Sequence, residues 1–216
     1  MNRIVNPKTL GAVALLLASG ALALHGQPSL EKKWQYLAPK FEPRLLERQV
    51  QIDPAELLDL MNDDYIDLIV YDVRSEADWN LFHLMDSERV DLKDLPTQRQ
   101  RLRSLPSNGV VVLVSNDELK ATEAWKRLMA LAKPNAYILE GGLNHWLNIY
   151  GVPEDETGGA RKASLAQPDG TLRHHFKLAL GDRHAAARPD QHKVPHRTYT
   201  PKVKLKQKIA KAGGCG

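Results

Sequence analysis

The chain has 216 residues, 43% of them hydrophobic, and a formal net charge of +4. That suffices for one ordinary domain with extensions and excludes an array of several. The single cysteine, Cys215, excludes an intramolecular disulfide and any multi-cysteine metal site within one chain.

The modest net charge hides an asymmetry. Met1–Tyr150 holds 17 Lys and Arg against 20 Asp and Glu, whereas Gly151–Gly216 holds 13 against 6, with five of the eight histidines. The last third is a different kind of polypeptide from the rest.

A short segment, 1–8, precedes the run "TLGAVALLLASGALALHG" at 9–26, which carries no acid or base apart from His25. About 20 apolar residues cross a bilayer, so 9–26 reads as a single-pass membrane anchor. The alternative is a signal segment removed at Ala21-Leu22-Ala23, which would leave a secreted protein. A buried helix of the soluble fold fits less well, because the run is apolar on every face. A lipid-attachment box is excluded, since Ala21 stands where its cysteine would be. Sidedness stays open: Arg3 and Lys8 precede the run, and Lys32, Lys33, Lys40 and Arg44 follow it.

Residues 27–49 read as a polar connector, helical in part after Ser29. A body at 50–151 follows. Asp53 suits a helix N-cap, Pro54 its first position and Glu56 its first turn, with Leu57, Leu58, Leu60 and Met61 on the apolar side. "IDLIVYDVR" (66–74) is a buried strand ending in a charged turn. Ser75 opens a second helix with Trp79, Phe82 and His83 toward the core. "GVVVLV" (109–114) is the next strand. In the helix 119–132, Ala121, Ala124, Trp125, Leu128, Met129 and Ala132 share one face. "AYILEGG" is a strand running into a glycine turn, where Gly141 and Gly142 permit a tight reversal, and "LNHWLNIYG" closes the body as a helix. Strands alternating with helices predict an α/β domain with a small, mostly parallel sheet covered on both faces.

The order of landmarks, "IDPAELLDLM", "IVYDVRSEADW" with His83, "VVVLVS" and "YILEGGLNHW", resembles the rhodanese-like domain family. In active members, as the resemblance implies, a cysteine after the central strand opens a six-residue loop ending in a basic residue. The loop's N–H groups then hold a thiolate or persulfide beside an anionic sulfur donor. The matching residues here are Ser115, Asn116, Asp117, Glu118, Leu119 and Lys120. Lys120 keeps the terminal base, but Ser115 takes the cysteine position and two acids fill the middle.

A serine hydroxyl cannot carry sulfane sulfur and does not ionise without a partnered base. Two carboxylates within about 4–6 Å of an anion would each oppose its binding by about 1–4 kcal/mol. Ser115 to Glu118 also has the form of a capping box, which predicts that the chain's own groups take up the loop's donors. No catalytic residue is therefore expected. Asp72 and Arg74 are expected to organise the loop by an ion pair or cap, and His83 to be structural. A phosphatase-like site on this fold would also need the loop cysteine and a longer loop.

From 152 to 216 the chain reads as a basic, His-containing, largely extended tail. His174, His175, His184, His192 and His196 are weak metal candidates without regular ligand spacing, so no metal and no cofactor are expected. "KVKLKQKIAK" (202–211) suits anionic lipid or an acidic surface; nucleic acid is not an expected partner. Cys215, on a glycine hinge beside lysines, is a candidate sulfur or redox carrier. The expectation is a membrane-anchored, catalytically silent module that binds a protein partner. The alternative is a sulfurtransferase or sulfur relay working through Cys215.

Overall fold

The structure is a computed structural model that describes residues 11–12, 28–132, 134–151, 161–162 and 170–205. The proposed anchor at 9–26, apart from Gly11 and Ala12, and Cys215 lie outside the described residues. Among the described residues no helix is long and apolar enough to cross a membrane.

The segment expected as a connector is mostly an element of the core. Helix α1, Leu30–Leu46, starts at Ser29, whose side chain accepts from the Lys32 N–H. Leu30, Trp34, Leu37, Phe41 and Leu45 fall at i, i+4, i+7, i+11 and i+15 and pack on the main core. Trp34 and Phe41 both meet the Trp125 ring edge-on, with centroids 6.1 and 6.2 Å away. Pro39 and Pro43 inside the helix each remove a backbone donor. They break up the helical signal in the sequence without preventing the packed stripe.

Five parallel strands form the sheet: β1 (Gln51–Ile52), β2 (Asp67–Asp72), β3 (Glu88–Arg89), β4 (Gly109–Val114) and β5 (Ala136–Leu139), in spatial order β1-β5-β4-β2-β3. Helix α2 (Pro54–Met61) is capped by Asp53, whose side chain accepts from the Ala55 N–H at 2.8 Å. Helix α3 (Glu76–Leu81) is capped by Ser75, and a 3₁₀ turn (Leu95–Gln98) leads into α4 (Arg99–Arg103). The remaining helices are α5 (Leu119–Leu131) and α6 (Gly142–Tyr150).

Strand alternation sorts the core into two layers. Val111, Leu113, Ile69, Tyr71 and Ile138 face the layer under α1, α4 and α5. Val110, Val112, Val114, Val70, Tyr137 and Leu139 face the layer under α2 and α6. The sheet is parallel and covered on both faces, as the alternation predicts. Asp72 pairs in register with Val114 and Arg89, and Ile52 with Leu139, so the turns after β2, β4 and β5 meet at one edge.

The C-terminal segment is irregular, but residues 170–205 lie on the body rather than in solvent. His174–His175 pairs antiparallel with Arg161–Lys162. Phe176 stacks on Phe82 with centroids 5.4 Å apart. Ala186 and Ala187 are buried over α6, and the Trp146 indole N–H donates to the Ala186 carbonyl at 2.7 Å. Farther on, the N–H groups of Lys202 and Val203 both donate to Glu56 Oε1 at 2.7 Å. Much of the docking uses main-chain groups, which need no apolar period, and the apolar contacts are scattered along the segment at Leu172, Phe176, Ala186, Ala187, Val194 and Val203.

Candidate functional site

The carboxyl edge of a parallel sheet is where ligands of open α/β folds usually bind, and the 115–120 loop sits there. Ser115 and Asn116 are buried. The Ser115 hydroxyl donates to the Asp117 carbonyl and accepts from the Ala121 N–H at 3.1 Å. Asp117 Oδ1 accepts from the Leu119 N–H at 2.8 Å. Glu118 reaches across the edge: its Oε1 accepts from the Gly141 N–H at 2.7 Å, and Arg48 pairs with it at 2.7 Å.

The expected reciprocal box between Ser115 and Glu118 is therefore not formed. Helix α5 begins at Leu119, with Glu118 at the N-cap position and no side-chain cap bond. The cause is α6: the N–H groups of Leu143 and Asn144 bond the carbonyls of Ser115 and Asn116, at 2.8 and 3.0 Å. This draws residues 115–118 away from helical geometry. The acids still take up main-chain donors, but one of those donors belongs to the neighbouring turn.

Gly142 makes the approach feasible. It has φ +63, and a Cβ there would lie 2.5 Å from the Asp117 carbonyl oxygen and 2.6 Å from that of Ser115.

Asp72 and Arg74 form the floor. Both are almost fully buried, and the guanidinium grips the carboxylate through Nε and Nη2 at 2.6–3.0 Å. Arg74 also donates to the Phe82 carbonyl at 2.5 Å and to Asn116 Oδ1 at 3.2 Å. A bidentate pair with its other donors satisfied is the form in which a buried charge is tolerated. Asn116 in turn donates to Asp78 Oδ2 at 3.0 Å.

Arg48 has φ +53 and bridges Glu118 and Glu140, the latter at 3.2 Å. Its pKa is raised further above the ordinary arginine value, first by the hydrogen bond to Glu118. Lys202 Nζ meets Glu140 from the other side at 3.4 Å. One line of charges thus joins the loop to the far end of the C-terminal segment.

The near end touches the loop directly. The Gly170 N–H donates to Asp117 Oδ2 at 2.6 Å, and Asn116 Nδ2 donates to the Gly170 carbonyl at 3.0 Å. Asn144 adds two bonds, from Nδ2 to the Thr171 carbonyl at 2.8 Å and from the Arg173 N–H to Oδ1 at 2.6 Å.

Open space remains on the opposite side of the loop. A cleft of about 360 Å³ there is lined by Ser75, Asp91, Lys93 and Lys120, among others.

His83 is half-buried and stacked on Trp79 with centroids 3.7 Å apart, and its Nδ1 lies 2.9 Å from the Trp79 carbonyl. The five tail histidines do not converge: His174 is buried, His184 lies against Phe82 and Phe176, and His175, His192 and His196 are exposed. Among the described residues no group of three or more His, Cys, Asp or Glu side chains could hold a metal ion. Arg48, Asp78, Glu140 and Asn144 are partners of the loop that the sequence reading did not single out. Only Glu140 and Asn144 carried a local signal, as neighbours of the glycine turn.

A model of the rhodanese-like domain matches residues 53–149. Residues 53–149 are a rhodanese-like domain. That family holds both sulfurtransferases and non-catalytic members. Among curated proteins none matches the chain. Solved structures with a similar backbone include a Bacillus halodurans protein, 18% identical, with a TM-score of 0.41 over 50% of this chain and 78% of that one. A Lactobacillus plantarum protein is 21% identical, with a TM-score of 0.41 over 52% and 93%. A thiosulfate sulfurtransferase from Pseudomonas aeruginosa is 24% identical, with a TM-score of 0.40, but the match covers 45% of this chain and only 18% of that one.

Proposed function

We propose that the protein is a catalytically silent rhodanese-like module, tethered to a membrane by residues 9–26, that binds a protein partner. The observation that carries this reading is the occupancy of the loop by the chain's own groups. Asp117, Glu118 and Ser115 answer donors at Leu119, Gly141 and Ala121 that an anionic sulfur donor would otherwise meet. Ser115 stands where the family resemblance places the nucleophile, and a hydroxyl carries no persulfide. An incoming anion would face two carboxylates, each opposing it by about 1–4 kcal/mol. The tether rests on the uncharged run at 9–26, and the basic end of the chain suits an anionic lipid or acidic protein surface.

The test is turnover of thiosulfate and cyanide to thiocyanate by the full chain, as wild type and Cys215→Ser. The proposal expects no thiocyanate from either. Turnover lost in Cys215→Ser would replace it with a sulfur relay through the terminal thiol. Turnover in both would return the chemistry to the loop.

A further inference from the structure

The contacts at Gly170–Arg173 have a pattern that packing alone does not require. Three side chains, Asn116, Asp117 and Asn144, make four hydrogen bonds to this segment, and every one is to its main chain. Asn116 and Asp117 together take the C=O and N–H of Gly170. Asn144 spans a C=O and an N–H two residues apart, as a neighbouring strand would. Recognition of this kind supplies affinity through the backbone.

The three readers are held in place by other parts of the fold. Asn116 is fixed by Arg74 and Asp78, Asp117 by the Leu119 N–H, and Asn144 by its own N–H on the Asn116 carbonyl. None of these supports comes from the 170–205 segment, so the groove keeps its shape when empty. A preformed site loses little entropy on binding.

The charges match as well. Asp78 and Asp117 stand at the groove, while residues 170–177 carry Arg173 and Lys177 and no acid. Gly170 has φ +84 with no atom within 4 Å of where a Cβ would stand, so its backbone conformation selects glycine and space does not.

Resting on the reading of the protein as a binding module, we infer that Asn116, Asp117 and Asn144 form a groove for an extended, basic, glycine-bearing polypeptide. Gly170–Arg173 fills it in cis, and a partner's segment of the same chemistry competes for it. Being tethered, the cis segment acts at an effective concentration of about millimolar order. A competing segment therefore binds well only once the strap is unhooked.

The test uses the full chain and a fluorescein-labelled peptide, Gly-Thr-Leu-Arg-His-His-Phe, the sequence of residues 170–176. Gly170→Pro with Arg173→Pro removes the two donated N–H groups and leaves the groove intact. Peptide binding followed by anisotropy should be at least tenfold tighter to this double variant than to wild type. Adding Asn144→Ala should abolish it, while adding Asn144→Asp, which keeps the accepting oxygen alone, should give an intermediate affinity. Phe176→Ala loosens the strap from its anchor on Phe82 and should tighten peptide binding in the same direction, with an unchanged urea midpoint for the body. Equal affinity for wild type and unhooked chains, or binding indifferent to Asn144, would overturn the groove. Thiocyanate assays on the same samples separate the two readings. Turnover would refute the silent module and leave the groove standing, whereas no turnover and no groove-dependent binding would do the reverse.

Discussion

The body at 50–151 and the strap at 170–205 are attached to the same sheet by different means. The body buries side chains: Trp125, Leu128, Val112 and Ile138 are fully enclosed, and strands β2, β4 and β5 contribute to a packed layer on each side. The strap buries few, chiefly His174, Ala186, Ala187 and the stacked face of Phe176, and otherwise holds on by hydrogen bonds, many from its backbone to Asn116, Asn144, Trp146, Glu56 and Tyr137, with side-chain bonds from Tyr199 and Lys202 at its far end. Apolar burial contributes roughly 25 cal/mol per Å², whereas an ordinary hydrogen bond contributes a net of about 1 kcal/mol. The body should therefore unfold as one cooperative unit, and the strap should open locally at much lower cost.

Arg74→Ala attacks the point where the two regions meet. It strands the buried Asp72 carboxylate and leaves Asn116 Oδ1 without its donor, and it should cost the body about 3–5 kcal/mol, read as a lowered urea midpoint. Gly142→Ala should follow at about 1–3 kcal/mol, from the left-handed backbone and the carbonyls in the way of its Cβ. A normal midpoint for either variant would mean that the loop is not welded to the body. Trp146→Phe loses the bond to Ala186 together with one ring of a fully buried indole. The lost bond should favour strap opening by about 1 kcal/mol, visible as faster hydrogen exchange at 183–190, and the space left by the indole should lower the body's midpoint as well.

The smallest effect is at the far end. The Tyr199 hydroxyl donates to Asp59 Oδ2 at 2.5 Å, and its pKa is raised, first by burial and then by that bond. A raised pKa favours the protonated form in the docked state. The contribution is thus fully present below about pH 10, the ordinary tyrosine value, and is lost as pH rises beyond it. Strap opening should increase above pH 10 in wild type and less so in Tyr199→Phe, with Tyr137, also raised by burial, carrying the remainder.

The same difference decides what could be read from the sequence. β4 at Gly109–Val114 and the buried face of α5 follow directly from an apolar run and a 3.6-residue period. Helix α1 was obscured because Pro39, Pro43 and many charges dilute a stripe that packing rescues. The two-residue strands β1 and β3 are too short to carry a period. At the loop, a serine at the position where the resemblance implies a cysteine, and the presence of internal acceptors, are local facts of Ser115–Glu118. Which donors those acceptors meet depends on α6 and Gly170, which lie 23 or more residues away in sequence. Asn116 and Asn144 look like ordinary polar residues until the fold sets them side by side.

The central claim is that the chain's own groups fill the loop, leaving no cradle for an anion. The most direct measurement titrates thiosulfate onto the full chain in detergent and follows the backbone amide resonances of residues 115–121 and 141–144. The account predicts no saturable shift at these amides, with any small response confined to Lys93 and Lys120 beside the open cleft. Saturable shifts of Asn116 through Leu119, with release of the Gly170 amide, would mean that the loop still binds anions and that the strap is only its lid.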